Sequence, residues 1–482
     1  MSMDGTVTIN ELVEKTAAQR PAACAVRVRG FSAGTSAEIS WHGLVQKVHE
    51  HAAQYRHAGL REGAVAAVAL PSGIGHVVAT LALWEAGATV IPVDHRWSAA
   101  TKERIVERYP RGWVVEGDDL GLVSYHRRAV APPGLPADGL PRSVSLSGGT
   151  TGVPKLVVRN RPWAYASSGP LSSKESARGL GYGQTQLVGL PLYHAGFGAL
   201  YHGLALGHRI IVPANASPKL FLESLRAEGV QVVRTVPAQM GTLLEASGRE
   251  RHWFSSLRLV VHTAARCPES VKRGWLDLVE PSTVYEEYGS VERIGVLSIR
   301  GDEWLAHPGS VGRPRHCSVR VLDERREPVA TGTTGELFMT DENAAQPTYL
   351  GDGPGLAEVD GYFSVGDLAW QDAEGYVTLV GRRDDAIDVG GVQVFPRDIE
   401  RVLERHAAVR DVRVRALPDR RLGAVVRAEV AVRGDDSDEV LAELWRSCRA
   451  ELSRAQLPRT IEIVADVRRS AAGKLRRADQ ET

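Results

Sequence analysis

Nine consecutive residues, Ser147-Gly148-Gly149-Thr150-Thr151-Gly152-Val153-Pro154-Lys155, combine three glycines, three hydroxyl side chains and a lysine. Glycine removes side-chain bulk and lets a backbone turn tightly. Successive N–H groups in such a turn can form a nest for an anion. The hydroxyls add donors and Lys155 adds positive charge. The composition suits a grip on a polyphosphate, and taken alone it also suits a solvated turn. It is not a Walker-type loop, which needs Gly-Lys-Ser/Thr contiguous, because Val153-Pro154 separates Gly152 from Lys155.

Four other stretches hold residues able to do chemistry. In LVGLPLYHAGFG, 187–198, an apolar run ends in Pro191, Tyr193 and His194. In VYEEYGSVE, 284–292, the pair Tyr288-Gly289 precedes Glu292. The long stretch 361–400 carries Asp367 after Gly366, then Arg382, Asp384 and the pair Gly390-Gly391. Lys474 lies in RRSAAGKLRR, 468–477. Taken singly, each suits a structural part: a strand-end histidine, a surface acid, a turn aspartate, one more charge in a basic tail.

Alternating elements must position these residues. Strand-like Ala64–Leu70 and Thr89–Val93 interleave with helix-like His42–Ala58 and Ala99–Tyr109. Such alternation predicts an α/β fold with largely parallel strands. A Pro/Gly-rich connector, 131–143, leads into strand-like SVSL and then SGGTTG. Alternation resumes over 184–300. From about 310 short β-type runs separated by Gly-containing turns predict a β-rich module. The last hundred residues predict a small α+β unit: a helix at Arg397–His406, strands at Val409–Leu417 and Val425–Val432, a helix at Ser437–Leu452 and a strand at Thr460–Val464.

In order and spacing, these motifs resemble those of the adenylate-forming superfamily, which includes acyl- and aryl-CoA ligases and the adenylation domains of peptide synthetases. The resemblance runs from about Thr8 to Arg477. It implies a two-step reaction. A carboxylate attacks the α-phosphate of Mg-ATP to give an acyl-adenylate and pyrophosphate. A thiol, of CoA or of a carrier-protein phosphopantetheine, then takes the acyl group. Carried onto this chain, Ser147, Gly148, Gly149, Thr150, Thr151, Gly152 and Lys155 match the phosphate loop. Thr263, Ala264 and Ala265 match the loop flanking the adenine or the acyl group. Tyr288 and Gly289 match the adenine site, Glu292 the Mg²⁺-binding acid, Asp367 the ribose-binding aspartate, and Arg382 the arginine near ribose and phosphate. Lys474 matches the lysine bridging carboxylate and α-phosphate, and His194 the gate beside the acyl site. Asp384 matches the hinge of a mobile lid bearing Gly390-Gly391. The implied domains are 1–383, binding AMP, and 384–482, the lid.

The chain departs from the family pattern at three places. Gly148 stands at the second position of a motif that in many relatives reads TSGTTG, a variation shared with aryl-acid-activating relatives. Arg266 stands where a proline is usual and is expected to pair with the substrate or a neighbouring acid. Val291 replaces a threonine before Glu292, which predicts weaker ATP binding. YHAGFGALYHG holds no aspartate to pair with an α-ammonium. The substrate expected is therefore an acyl or aryl acid, not an α-amino acid. Ala195, Gly196, Gly198 and Ala199 either leave pocket space or permit close helix packing. A stand-alone enzyme that loads an acyl carrier protein or forms an amide is the alternative to a CoA ligase.

Composition bounds the rest. The 482 residues exceed one ordinary core and predict two or more domains. Lys+Arg and Asp+Glu both number 58, which argues against a general nucleic-acid binder. Four scattered cysteines, with no CxxC pair, suggest neither zinc nor disulfides and fit a cytoplasmic location. The N-terminus lacks an apolar signal core. Ala64–Trp84 is uncharged and about as long as a membrane span, but Pro71, Ser72, Gly73 and Gly75 interrupt it. A buried strand, a turn and a packed helix are expected instead. No HExxH or GxSxG motif occurs, and Gly196-Phe197-Gly198 lacks the third glycine of a dinucleotide fingerprint.

Overall fold

Two sheets with parallel centres carry most of the first three hundred residues. The computed structural model describes residues 5–30, 36–107, 111–118, 120–126, 139–146, 156–159, 161–341, 348–350, 355–434 and 438–467. The larger sheet has nine strands. Its six central strands run parallel in the order Val284–Gly289, Leu259–His262, Val232–Thr235, Thr185–Val188, Arg209–Pro213, Cys24–Arg29. Val296–Arg300 and Ala37–Ser40 are added antiparallel at the two sides of this set. Runs such as LVVH are buried on both faces, as a parallel sheet covered by helices requires. Helices Pro218–Ala227, Pro237–Ala246 and Glu269–Leu278 cover one face. Helices Ile9–Gln19, Trp41–His57, Ile74–Glu85 and Ala195–Ala205 fill the space between this sheet and a second one.

The second sheet has seven strands, with Val65–Val68 and Thr89–Pro92 at its centre. The uncharged segment resolves as expected into the strand Val65–Val68, a turn, and the helix Ile74–Glu85. Every residue from His76 to Trp84 is buried, because this helix lies between two sheets. Among the described residues no helix is long and apolar enough to cross a membrane.

The change of texture near 310 corresponds to a six-stranded antiparallel sheet, 317–382, with its own core around Leu337, Met339, Ala369 and Val377. The last unit has five strands and the helices Pro396–Glu404 and Asp438–Glu451 around Ile399, Leu403, Val414 and Val430. The first of these helices begins one residue before the sequence expectation. Pro396 occupies its first turn, where a missing N–H leaves no helical bond unmade. The strand Val409–Asp419 continues past Leu417 through Pro418 because it is an edge strand.

Candidate functional site

Loops leaving the carboxyl ends of neighbouring parallel strands lie along one edge of the sheet, where an open α/β fold usually forms its ligand crevice. Thr263 to Arg266 follow the fully buried strand Leu259–His262. The Thr263 N–H donates to the Thr235 carbonyl at 3.3 Å. Ala264 takes φ +74°, a left-handed backbone that a side chain disfavours. The adjacent strand Val284–Gly289 delivers Tyr288 and Gly289 to the same edge. The Tyr288 hydroxyl donates to Asp367 Oδ2, across 79 residues of sequence. Asp367 stands opposite Arg382 in an antiparallel pair, and Arg382 Nε lies 3.2 Å from Asp367 Oδ1. Arg382 Nη2 also donates to the Val365 carbonyl at 2.5 Å. Tyr288, Asp367 and Arg382 are thus one constellation, where the nine-stranded sheet meets the β-module. Burial and the Asp367 carboxylate push the Tyr288 phenol well above its usual pKa, so it stays a donor. The Asp367 side chain retains 18% exposure, so a ligand can reach it.

Glu292 follows in the turn Ser290–Arg293, closed by the Arg293 N–H to the Ser290 carbonyl at 3.2 Å. Its charge is near enough to act on Tyr288. His194 caps the helix Ala195–Ala205, past the end of Thr185–Val188. The neighbouring Tyr193 hydroxyl accepts from Arg96 Nη2 at 2.9 Å, and Arg96 holds Asp94 through two bonds of 2.9 and 2.6 Å. The small residues of this helix divide. A Cβ on Gly196 would lie 2.3 Å from the Leu190 carbonyl oxygen, so Gly196 is there for close packing, whereas a Cβ on Gly198 would meet nothing within 4 Å. Ser147 to Lys155, and Lys474, lie outside the described residues. The strands that flank the former are paired antiparallel, Leu146 opposite Leu156.

Arg266 finds an acid: its Nη1 donates to Glu404 at 2.9 Å. Glu404 closes the helix Pro396–Glu404 and is also gripped by Arg397 at 2.9 and 2.8 Å. The crevice loop is thereby tied to the last unit. Between the β-module and that unit, Arg383 still bonds back to Gly366 and Glu336 at 2.9 and 2.8 Å. Asp384 is exposed in the short turn Arg383–Asp385. Ile387 already belongs to the C-terminal core. Gly390 and Gly391 take φ +62° and +87° in a two-residue turn between Ile387–Val389 and Val392–Val394, as a twisted hairpin demands.

Sequence reasoning missed what braces the Tyr288 strand. Glu286 meets Lys272 at 2.7 Å in the core. On the other face Glu287 takes Arg178, Arg234 and Arg315 at 2.8, 3.2 and 2.9 Å. These three arginines pull the Glu287 carboxyl down to about 2, although burial alone would raise it. The signal was present as two adjacent acids in the β-type run VYEEYG, where alternation sends them to opposite faces.

Comparison with known proteins bears on this arrangement. The family model described as AMP-binding enzyme matches residues 13–109 and 131–349, and that of the AMP-binding enzyme C-terminal domain matches 398–474. A 2-succinylbenzoate–CoA ligase of Bacillus cereus strain Q1 is 25% identical over 92% of this chain and 93% of its own. An indoleacetate–CoA ligase of Aromatoleum aromaticum is 28% identical over 77% of this chain and 72% of its own. The solved o-succinylbenzoate CoA synthetase of Bacillus subtilis, in complex with its acyl-adenylate intermediate, superposes with a TM-score of 0.77 at 20% identity, covering 98% of this chain and 97% of that one.

Proposed function

Because the chain belongs to the AMP-binding enzyme family, we propose that it activates an acyl or aryl carboxylic acid with Mg-ATP to an acyl-adenylate and passes the acyl group to the thiol of CoA. The observation that carries this reading is the Tyr288–Asp367–Arg382 constellation beside the Thr263–Arg266 loop. The Asp367 carboxylate takes the phenol on one oxygen and the guanidinium on the other, and with about four lone-pair sites in all it would still accept from the ribose hydroxyls. The Tyr288 ring would lie against adenine, flanked by Gly289 and by the backbone of Thr263, Ala264 and Ala265. Arg382, half exposed, would reach from the ribose toward the phosphate.

The reaction brings an anionic nucleophile to an anionic triphosphate, so neutralisation and in-line positioning supply most of the catalysis. Ser147 to Lys155 would hold the β- and γ-phosphates. Lys474 would place its ammonium between the reacting carboxylate and the α-phosphate, a point charge on a flexible stem. Glu292 suits Mg²⁺ by its chemistry: a single partly exposed carboxylate is the donor for a hard cation that otherwise keeps phosphate oxygens and water. The bound cation would neutralise phosphate charge. His194 would border the acyl pocket, and the space beside Gly198 is open.

The proposed domains are 1–383 and 384–482, with Asp384 as hinge and Gly390-Gly391 as the loop that faces CoA in the second step. A carrier-protein phosphopantetheine is the alternative acceptor. Four free thiols and the use of ATP and CoA support a cytoplasmic setting. The test is a panel of aryl and aliphatic acids assayed for acid-stimulated pyrophosphate release, with CoA present and absent. An acyl-CoA formed with one acid upholds the reading. If no acid stimulates pyrophosphate release, it is wrong. Release without CoA consumption, with product on a pantetheinylated carrier or an amine, moves the acceptor.

A further inference from the structure

Two neighbouring parallel strands of the seven-stranded sheet, Val65–Val68 and Thr89–Pro92, end side by side, with Val68 opposite Pro92. The segments that leave them both reach across to the Tyr193–His194 segment of the nine-stranded sheet. From the first, Ser72 Oγ accepts from the Leu192 N–H at 3.3 Å. From the second, Arg96 Nη2 donates to the Tyr193 hydroxyl at 2.9 Å. Asp94 aims that guanidinium: Nη2 and Nε reach its two oxygens at 2.6 and 2.9 Å, and the Arg96 backbone N–H donates to Oδ1 at 3.0 Å. The Asp94 side chain is only 10% exposed, so the pair is held from its inner end. Burial alone would raise the Asp94 carboxyl, yet the bonds from Arg96 keep it below its usual value.

The elements on either side of Tyr193 are fixed by the core. Thr185–Val188 lies inside the nine-stranded sheet. The helix Ala195–Ala205 is wedged through Phe197, whose ring lies 5.8, 6.0 and 6.1 Å from Trp163, Trp84 and His76. Between them, Leu192 is buried and the His194 N–H closes a turn onto the Pro191 carbonyl at 3.0 Å. A turn and one apolar anchor leave the direction of the Tyr193 ring open. A bond from a planar fork that a carboxylate already grips sets it. The His194 ring, 5.2 Å from that of Tyr193, packs beside it. We propose that Arg96, oriented by Asp94, is a positioning residue for the acyl site: it pins Tyr193 and through it His194, with Ser72 as a second tether. This rests on the ligase reading for the placement of His194 beside the acyl pocket. The rim of that pocket is then built from both sheets, and a residue of the seven-stranded sheet helps to set the affinity for the acid.

The test uses the full-length enzyme with Tyr193→Phe, which deletes only the acceptor, and Arg96→Lys, which keeps a charge opposite Asp94 but not the fork. With the acid that wild type uses best, both variants are expected to raise the KM for the acid about five-fold or more, while the KM for ATP and the Kd for AMP stay within about two-fold. The double variant is expected to be no worse than the poorer single one, because both changes cut the same bond. Hydrogen exchange of the segment 190–198, followed by mass spectrometry without substrates, is expected to be faster in both variants. The proposal is overturned if folded Tyr193→Phe keeps the acid KM within about two-fold of wild type, or if acid and ATP constants move together, as a merely structural loss would make them. It is equally overturned if exchange of the segment is unchanged. Absence of acid-stimulated pyrophosphate release in the wild type refutes the ligase reading instead, and exchange alone then decides whether Arg96 pins this segment.

Discussion

Replacing Glu287 by Gln removes one charge and almost no volume from the strand that presents Tyr288. The wild-type carboxyl sits at about 2, against an ordinary 4.5, with its side chain only 12% exposed. That difference corresponds to about 3 kcal/mol between the ionised and protonated forms. The sign follows from the downward direction. A depressed carboxyl contributes stability that is complete above the unfolded value of 4.5 and vanishes as pH falls through about 2. Glu287→Gln should therefore be less stable than wild type by about 3 kcal/mol at pH 7 and by only about 1 kcal/mol at pH 3. Three guanidiniums left around a neutral amide account for the loss, since burial and the neighbouring Arg178 already pull Arg315 below its usual value. Urea titrations of both proteins at pH 7, 5, 4 and 3, followed by tryptophan fluorescence, measure the gap. A gap under about 1 kcal/mol at pH 7, or one that does not narrow on acidification, would refute the reasoning.

Three more outcomes are expected. Asp367→Asn weakens an acceptor that, in the proposed role, serves both its protein partners and the ribose, and should raise the Kd for AMP about ten-fold or more with a melting midpoint near wild type; unchanged AMP affinity by calorimetry contradicts the role. Asp384→Pro locks φ at the proposed hinge and should depress thioester formation more than pyrophosphate exchange; equal loss of both half-reactions contradicts the hinge. The Arg266–Glu404 pair, with side chains 35% and 19% exposed, should show a coupling of about 0.5 to 1 kcal/mol in a double-mutant cycle of alanine variants, reduced by salt; additive single effects contradict the tie.

Much of the molecule was legible before any coordinates. Strand and helix periodicities placed Val65–Val68, Thr89–Pro92, Trp41–His57 and the C-terminal elements to within a few residues. These features were readable because hydrophobic period, turn glycines and charge content are properties of neighbouring residues. Long-range pairing is not local. That Tyr288 reaches Asp367 follows from where the β-module docks against the nine-stranded sheet. That Glu287 collects three arginines follows from strand order, which brings positions 178, 234 and 315 to one face. Gly196 and Gly198 look alike in sequence and differ only in what surrounds them, a carbonyl oxygen in one case and open space in the other. Sequence by itself determined the set of parts and the chemistry they suit. Tertiary structure decided which parts touch, because a side chain's partner is set by sheet order and helix docking, and no local pattern encodes either.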